Sequence, residues 1–186
     1  MTATLTPPVT APAAVPRWVW WTAHAVPLLT LPSGLWRVAF GLGLPVGVTG
    51  APAEDVPGLW TTPYVIVLSL VAEGLALLTL GLVQPWGEVA PRWLPLIGGR
   101  RIPVPAAAVP AALGAAVLTW LSLRSLADWG SPVNDVDGFP TGGWLVVMAA
   151  AYAPLVLWGP LLAVVTAAYV WRRAGAQRLA RTSPVS

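Results

Sequence analysis

The chain has no cysteine, no lysine and a single histidine in 186 residues. Without cysteine there are no disulfides, no thiol nucleophiles and no thiolate metal sites. One histidine excludes a multi-histidine metal cluster within a protomer, so no metal and no cofactor is implied. Charge is scarce as well. Asp, Glu, Lys and Arg make up 9% of the chain, against about 25% in an ordinary soluble domain. So little charge cannot coat a water-facing surface. Hydrophobic residues make up 56%, and a lipid bilayer is expected to cover many of them. The lysine gap, beside abundant Arg, Ala, Pro, Gly, Val and Leu, points to a GC-rich genome.

Most of what charge there is lies sorted by sign around four apolar runs; Glu73, Glu88, Arg37 and Arg124 depart from the pattern. Arg17 precedes the first run; Arg92, Arg100 and Arg101 lie between the second and third; Arg172, Arg173, Arg178 and Arg181 follow the fourth. Glu54 and Asp55 lie between the first and second, and Asp128, Asp135 and Asp137 between the third and fourth. Positive residues stay on the cytoplasmic side of a membrane. The expected fold is therefore all-α: a polytopic membrane protein with four transmembrane helices in a bundle, several of them proline-kinked. Both termini are expected in the cytoplasm, and the membrane is expected to be the bacterial cytoplasmic membrane. The basic pI of about 10.2 has the same origin, so no nucleic-acid partner is expected.

The spans are expected over residues 18–48, 61–83, 103–126 and 144–171, within a membrane domain of 17–173. Residues 1–16 are rich in Thr, Pro and Ala and carry no charge; they read as a disordered cytoplasmic tail. They lack the basic start and cleavage site of a signal peptide, so the first span is expected to act as an uncleaved anchor. Residues 174–186 read as a basic cytoplasmic tail. The first span is too long for a straight crossing: at 1.5 Å per residue it would reach ~45 Å against a ~30 Å core. Pro27, Pro32 and Pro45 interrupt it. Pro63 falls in a first helical turn, where its missing N–H costs little. Pro85 should end the second span, Pro110 should bend the third, and Pro154 and Pro160 fall near the middle of the fourth.

Twelve tryptophans invite an aromatic cage or a stacking platform. Their positions favour two interfacial belts instead. Trp18, Trp20, Trp21, Trp86, Trp93 and Trp171 fall at inner span ends. Trp36, Trp60, Trp129 and Trp144 fall near outer ends, with Trp120 a little deeper. Trp158 alone sits near a span centre, as a candidate for ligand contact.

Glu73 is the sharpest candidate. It lies near the middle of the second span, where an acidic residue costs about 2.5–3.5 kcal/mol. Such a carboxyl faces a protein interior or a water-filled cavity, paired or neutral. It could be a functional site, or a polar fastener between helices. Gly74 beside it should permit close approach of a helix or ligand. Arg37 and Arg124 are the candidate cationic partners, both near the outer boundary. Either reaches down to Glu73, or both extend to the outer headgroups. Arg124 is also in register for an i,i+4 pair with Asp128. His24, about one and a half turns into the first span, could relay protons or bond a neighbouring helix.

Two weaker signals remain. Asn134-Asp135-Val136-Asp137-Gly138 resembles part of a calcium loop but lacks the remaining ligands, and reads as a solvated turn. Gly43 with Gly47, and Ala107, Ala111 and Ala115, are spaced as small-residue packing faces, within or between protomers. Pro-Arg-Trp occurs at both 16–18 and 91–93, too short a match to establish a duplicated unit.

Leu31-Pro32-Ser33-Gly34-Leu35-Trp36-Arg37 and Arg92-Trp93-Leu94-Pro95-Leu96-Ile97-Gly98-Gly99-Arg100-Arg101 resemble segments of small four-span membrane proteins of actinobacteria with no assigned activity. The resemblance implies a fold and a location, and carries no mechanism.

Three functions are compatible with these residues. A membrane scaffold or accessory subunit, partnered by itself or by another membrane protein, would bury Glu73 without a cavity. A proton- or cation-linked transporter subunit would place Glu73 on a polar path. An intramembrane enzyme on a lipid or terpenoid substrate would put Glu73 at the wall of an apolar cavity as general acid, with Trp158 in the lining.

Overall fold

Proline and glycine set where the helices stop. The structure, a computed structural model, describes residues 15–50, 54, 56–89, 92, 98–128 and 138–182, with the backbone alone over 176–182. The tail expected over 1–16 lies outside these residues apart from Val15 and Pro16. So do Asp55, Trp93, Trp129, the turn at 131–137 and half of the 92–101 segment, residues 93–97.

Helix α1 spans Arg17–Gly41 with Pro27 and Pro32 inside it. It ends short of the expected residue 48. Gly43 takes a left-handed φ of 75°, which costs glycine nothing. Its N–H then bonds Phe40 O at 2.8 Å, and Leu44 N bonds Ala39 O at 3.0 Å. This pair of backward bonds closes a helix C-terminus, and Pro45 cannot extend it. Gly43 and Gly47 both lie beyond the helix with positive φ, so they form no helical packing face.

Helix α2 spans Thr61–Leu78, and a 3₁₀ turn carries it to Leu82. Pro63 does fall in the first turn. A second 3₁₀ turn, Pro85–Gly87, turns the chain away. Helix α3 spans Val104–Ala127 and includes Pro110. Helix α4 spans Gly143–Tyr152; a 3₁₀ segment, Ala153–Leu157, joins it to α5, Trp158–Thr182. Pro154 and Pro160 bracket that change of pitch, and neither can donate the i→i−4 bond. Residues 174–182, expected as tail, continue α5.

Among the described residues there is no strand, only an isolated bridge between Val89 and Arg101. Helix α1 packs on α2 and α5, and α3 packs on α5. Successive rods alternate in direction. At one end Arg172 Nη2 donates to Leu82 O at 2.9 Å, and Arg173 Nη2 to Ile102 O at 3.0 Å. At the other, the Trp36 and Trp144 rings lie 6.0 Å apart, and Thr49 N donates to Gly138 O at 3.0 Å.

Among the described residues, three helical stretches are long and apolar enough to cross a membrane: Thr61–Leu82, Val104–Ala127 and Gly143–Gly175. Their outward surfaces carry many exposed Leu, Val and Trp side chains. Helix α1 is as long but less apolar, because Thr22, His24, Thr30, Ser33 and two prolines interrupt it. It is also the more enclosed. Val19, Ala23, Val26, Thr30 and Ser33 are buried there, whereas α3 buries only Ala115.

Candidate functional site

The polar residues of α1 and α2 meet along one seam. On α1, Thr30, Ser33 and Arg37 sit three and four residues apart, which puts them on one face. On α2, Thr62, Ser69 and Glu73 are spaced at seven and four, again one face. The helices run antiparallel, so the two faces pair in reverse order. Thr30 Oγ1 donates to Glu73 Oε2 at 2.7 Å. Arg37 Nε donates to Ser69 Oγ at 3.2 Å. Thr62 Oγ1 donates to Gly41 O at 2.7 Å, satisfying a carbonyl that the end of α1 leaves without a helical partner.

Each contact is supported locally. The Thr30 hydroxyl also lies 2.9 Å from Pro27 O, so one proton serves two acceptors. Ser33 Oγ donates to Thr30 O at 2.8 Å, and Ser69 Oγ to Val65 O at 2.8 Å. Thr30, Ser33 and Ser69 are buried, and Glu73 is half-buried.

The expected cationic partners of Glu73 are elsewhere. Among the described residues Glu73 forms no ion pair. Arg37 stops one turn short of it, at Ser69, with its guanidinium 5.9 Å from the Tyr152 ring centroid. Arg124 points outward with 62% of its side chain exposed and pairs with Asp128 at 3.4 Å. Among the described residues His24 bonds neither Glu73 nor another helix. Its Nδ1–H donates to Trp20 O at 2.8 Å, and its ring stacks 3.7 Å from the Trp20 ring. Nor does Gly74 admit a close neighbour: its side faces open space.

Glu73 lines neither of two cavities. One, about 580 Å³, lies between α3 and α5 against Ala112, Ala115, Ala116, Thr119, Ala163 and Thr166. The other, about 440 Å³, lies between α3 and the α4–α5 junction; Trp158 lines it. The Ala107–Ala111–Ala115 stripe faces the interior, packed with Leu162 and Trp158 in the same cluster. A Cβ on Gly159 would run into Thr119 and the Ala115 carbonyl, so α5 approaches α3 there as only glycine allows.

Sequence reasoning missed two arrangements. The first is the hydroxyl side of the seam, Thr30, Ser69 and Thr62. Their helical spacing within apolar runs was the available signal. The second is at the basic end. Glu88, an acid among arginines, is held by Arg172 at 3.5 Å and Arg173 at 3.2 Å. All three side chains are 80% or more buried. Ile102 N donates to Glu88 O at 2.9 Å, and the Arg173 guanidinium lies 5.8 Å from the Tyr169 ring centroid. These contacts tie the ends of α2, α3 and α5 together. No sequence signal links Glu88 to arginines some 85 residues away.

Chemically the seam can hold helices in register; among the described residues no three His, Asp or Glu side chains gather as a metal site. A search of family models, of curated proteins and of solved structures finds no match to this chain.

Proposed function

We propose that the chain is a four-span integral membrane protein of the bacterial cytoplasmic membrane, with both termini cytoplasmic. In this reading it serves as a small scaffold or accessory subunit, akin to the actinobacterial proteins that its Leu31–Arg37 and Arg92–Arg101 segments resemble. The observation that carries the scaffold reading is the use made of Glu73. Its carboxyl bonds Thr30 of the neighbouring helix and lines neither of the two cavities described above. The transporter and enzyme readings each need it on a path or at a cavity wall.

Counting α1 as the fourth span rests on length and shelter. Twenty-five residues reach about 37 Å as a helix, enough to cross a ~30 Å core. Its polar side chains turn to α2 or to their own backbone, which is how hydrocarbon tolerates them. Orientation rests on charge. Arg17, Arg100, Arg101, Arg172 and Arg173 share the end that holds Glu88, while Glu54 and Asp128 lie toward the other.

Two experiments test this. Reporter fusions at residue 186 should report a cytoplasmic C-terminus; an external one overturns the topology. Glu73→Gln should fold at wild-type yield, because the amide can still bond Thr30, and should rescue a deletion strain. Glu73→Leu should fold poorly. A Glu73→Gln protein that folds fully yet fails to rescue would show chemistry that a scaffold does not need.

A further inference from the structure

We propose that the outer edge of the Thr30–Glu73 seam is the docking face for a transmembrane helix of another membrane protein, one that carries an Asn or Gln side chain at mid-depth. Such a partner deepens the membrane-spanning accessory-subunit reading, on which this step rests.

Glu73 is only half used by its own chain. Its Oε2 accepts from Thr30. Its Oε1 has no hydrogen-bond partner among the described residues. That oxygen is not sealed inside either: Glu73 is half-buried, and the buried polar atoms left unpaired belong to Thr79, Trp158, Tyr169 and Arg173. Glu73 lies 12 residues after Thr61 and nine before Leu82, more than about 13 Å from either end of the rod. Hydrocarbon at that depth offers no water, and an open carboxyl oxygen there is costly. Acids within a membrane face protein or a water-filled cavity, and Glu73 lines neither of the two cavities described above. Protein from outside the chain is the cover that remains.

The surface beside Glu73 suits a helix. Leu70, Gly74 and Leu77 follow at helical spacing along the outside of α2. Leu70 and Leu77 are 66% and 46% exposed, and a Cβ on Gly74 would meet nothing within 4 Å. The glycine leaves a notch between the two leucines where another backbone can come close. Leucine against leucine gains little over leucine against lipid, so specificity falls to Oε1.

Polar complementarity selects the partner. A second copy docked about a twofold axis would set this face against itself, carboxyl against carboxyl. Arg37, Arg124, Arg172 and Arg173 are already engaged at Ser69, Asp128 and Glu88, and Arg17, Arg100 and Arg101 lie at the basic end. A partner helix bearing Lys or Arg would bring a second costly charge to the same depth. A carboxamide brings no charge. Its N–H donates to an ionised Oε1, and its carbonyl accepts from a protonated one, so it fits both forms.

The test uses the full-length protein reconstituted in phosphatidylcholine vesicles. The probe is a synthetic Leu/Ala helix of about 23 residues with one Asn at its centre and a dansyl group at one end; the control has Leu in place of Asn. Energy transfer from the native tryptophans reads binding, at peptide densities where neither helix associates with itself. The Asn helix should bind about fivefold more tightly than the control, the worth of one hydrogen bond between helices in lipid. Glu73→Gln should keep that preference, because one amide can pair with another, and Glu73→Ala should lose it. Gly74→Leu projects into open space and leaves the fold alone; it should weaken the Asn helix about threefold by holding the helices apart, which keeps the test decisive if Glu73→Ala misfolds. Equal binding of the Asn and Leu helices, or of the Asn helix to wild type and Gly74→Leu, overturns the proposal. So does a stronger preference for a helix with Lys at its centre that Glu73→Gln abolishes, which would give the face to a cation. Transfer between differently labelled copies of the protein that Gly74→Leu abolishes would give it to a second copy and overturn the proposal equally. The reporter fusions judge the membrane reading separately: a cytoplasmic C-terminus beside no preference for Asn sinks the docking face alone.

Discussion

Helices α1 and α2 adhere by polar bonds, whereas α3 and α5 adhere by absence of bulk. In the first pair Thr30 meets Glu73, Arg37 meets Ser69, and Thr62 meets the Gly41 carbonyl. In the second, Ala115 and Gly159 let backbones approach, and the threonine hydroxyls bond their own helices. Both are solutions to one problem. Lipid is as apolar as leucine, so burying leucine gains little between helices in a bilayer. What remains is close van der Waals packing or hydrogen bonding. The difference has a consequence for placement. A helix that carries the polar seam, α1, has to be enclosed, and one that carries a smooth stripe, α3, can face lipid on every other side.

Substitutions can break each pair in its own way. The largest effect is expected from Gly159→Val. Its branched side chain meets α3 backbone, which cannot swing aside, so unfolding in micelles should become easier by about 3 kcal/mol. Retention of wild-type stability there would mean that α3 and α5 do not approach as described. Next comes Glu88→Ala, which leaves two mostly buried guanidiniums without their carboxylate. We expect a loss of about 2 kcal/mol, discounted for partial exposure, read as an earlier transition in an SDS titration. Thr30→Val keeps shape and deletes the donor to Glu73. A loss of about 0.6–2 kcal/mol is expected, the range for interhelical hydrogen bonds in membranes. In a Glu73→Leu background the same change should cost much less, because the partner is gone; an undiminished cost would break the pairing. Smallest is Leu113→Ala on the exposed face of α3, expected within about 0.5 kcal/mol of wild type. A clear loss there, appearing only at high protein concentration, would reveal a protein contact where lipid is expected.

Much of the secondary structure was legible in advance. Residues 61–83 and 103–126 match Thr61–Leu82 and Val104–Ala127 closely. Apolar runs, prolines and glycines act locally, so their effect needs no knowledge of neighbours. The apolar run over 18–48, too long for a straight crossing, outlasts helix α1 because its tail, Leu42–Val48, is as apolar as its body. Gly43 takes a left-handed φ, and the backward bonds this allows end the helix despite that hydropathy. The site was legible only in part. Glu73 stood out by its cost in an apolar run, and the Arg124–Asp128 pair was readable from i,i+4 spacing. The hydroxyls that receive Glu73 and Arg37 did not stand out, because Thr and Ser are unremarkable in such helices.

The sequence by itself determined the alternation of apolar runs and sorted charges, and with it the helical class and the positions of the costly residues. Only the tertiary structure decided which partner each costly residue meets. Glu73 meets Thr30 rather than an arginine, Glu88 meets Arg172 and Arg173, and Trp158 meets a cavity. The reason lies in the helices themselves. When nearly every face is apolar, hydrophobicity leaves each helix free to rotate about its axis. Rotation and register are then set by a few polar bonds and close backbone approaches, and these exist only between helices already packed together.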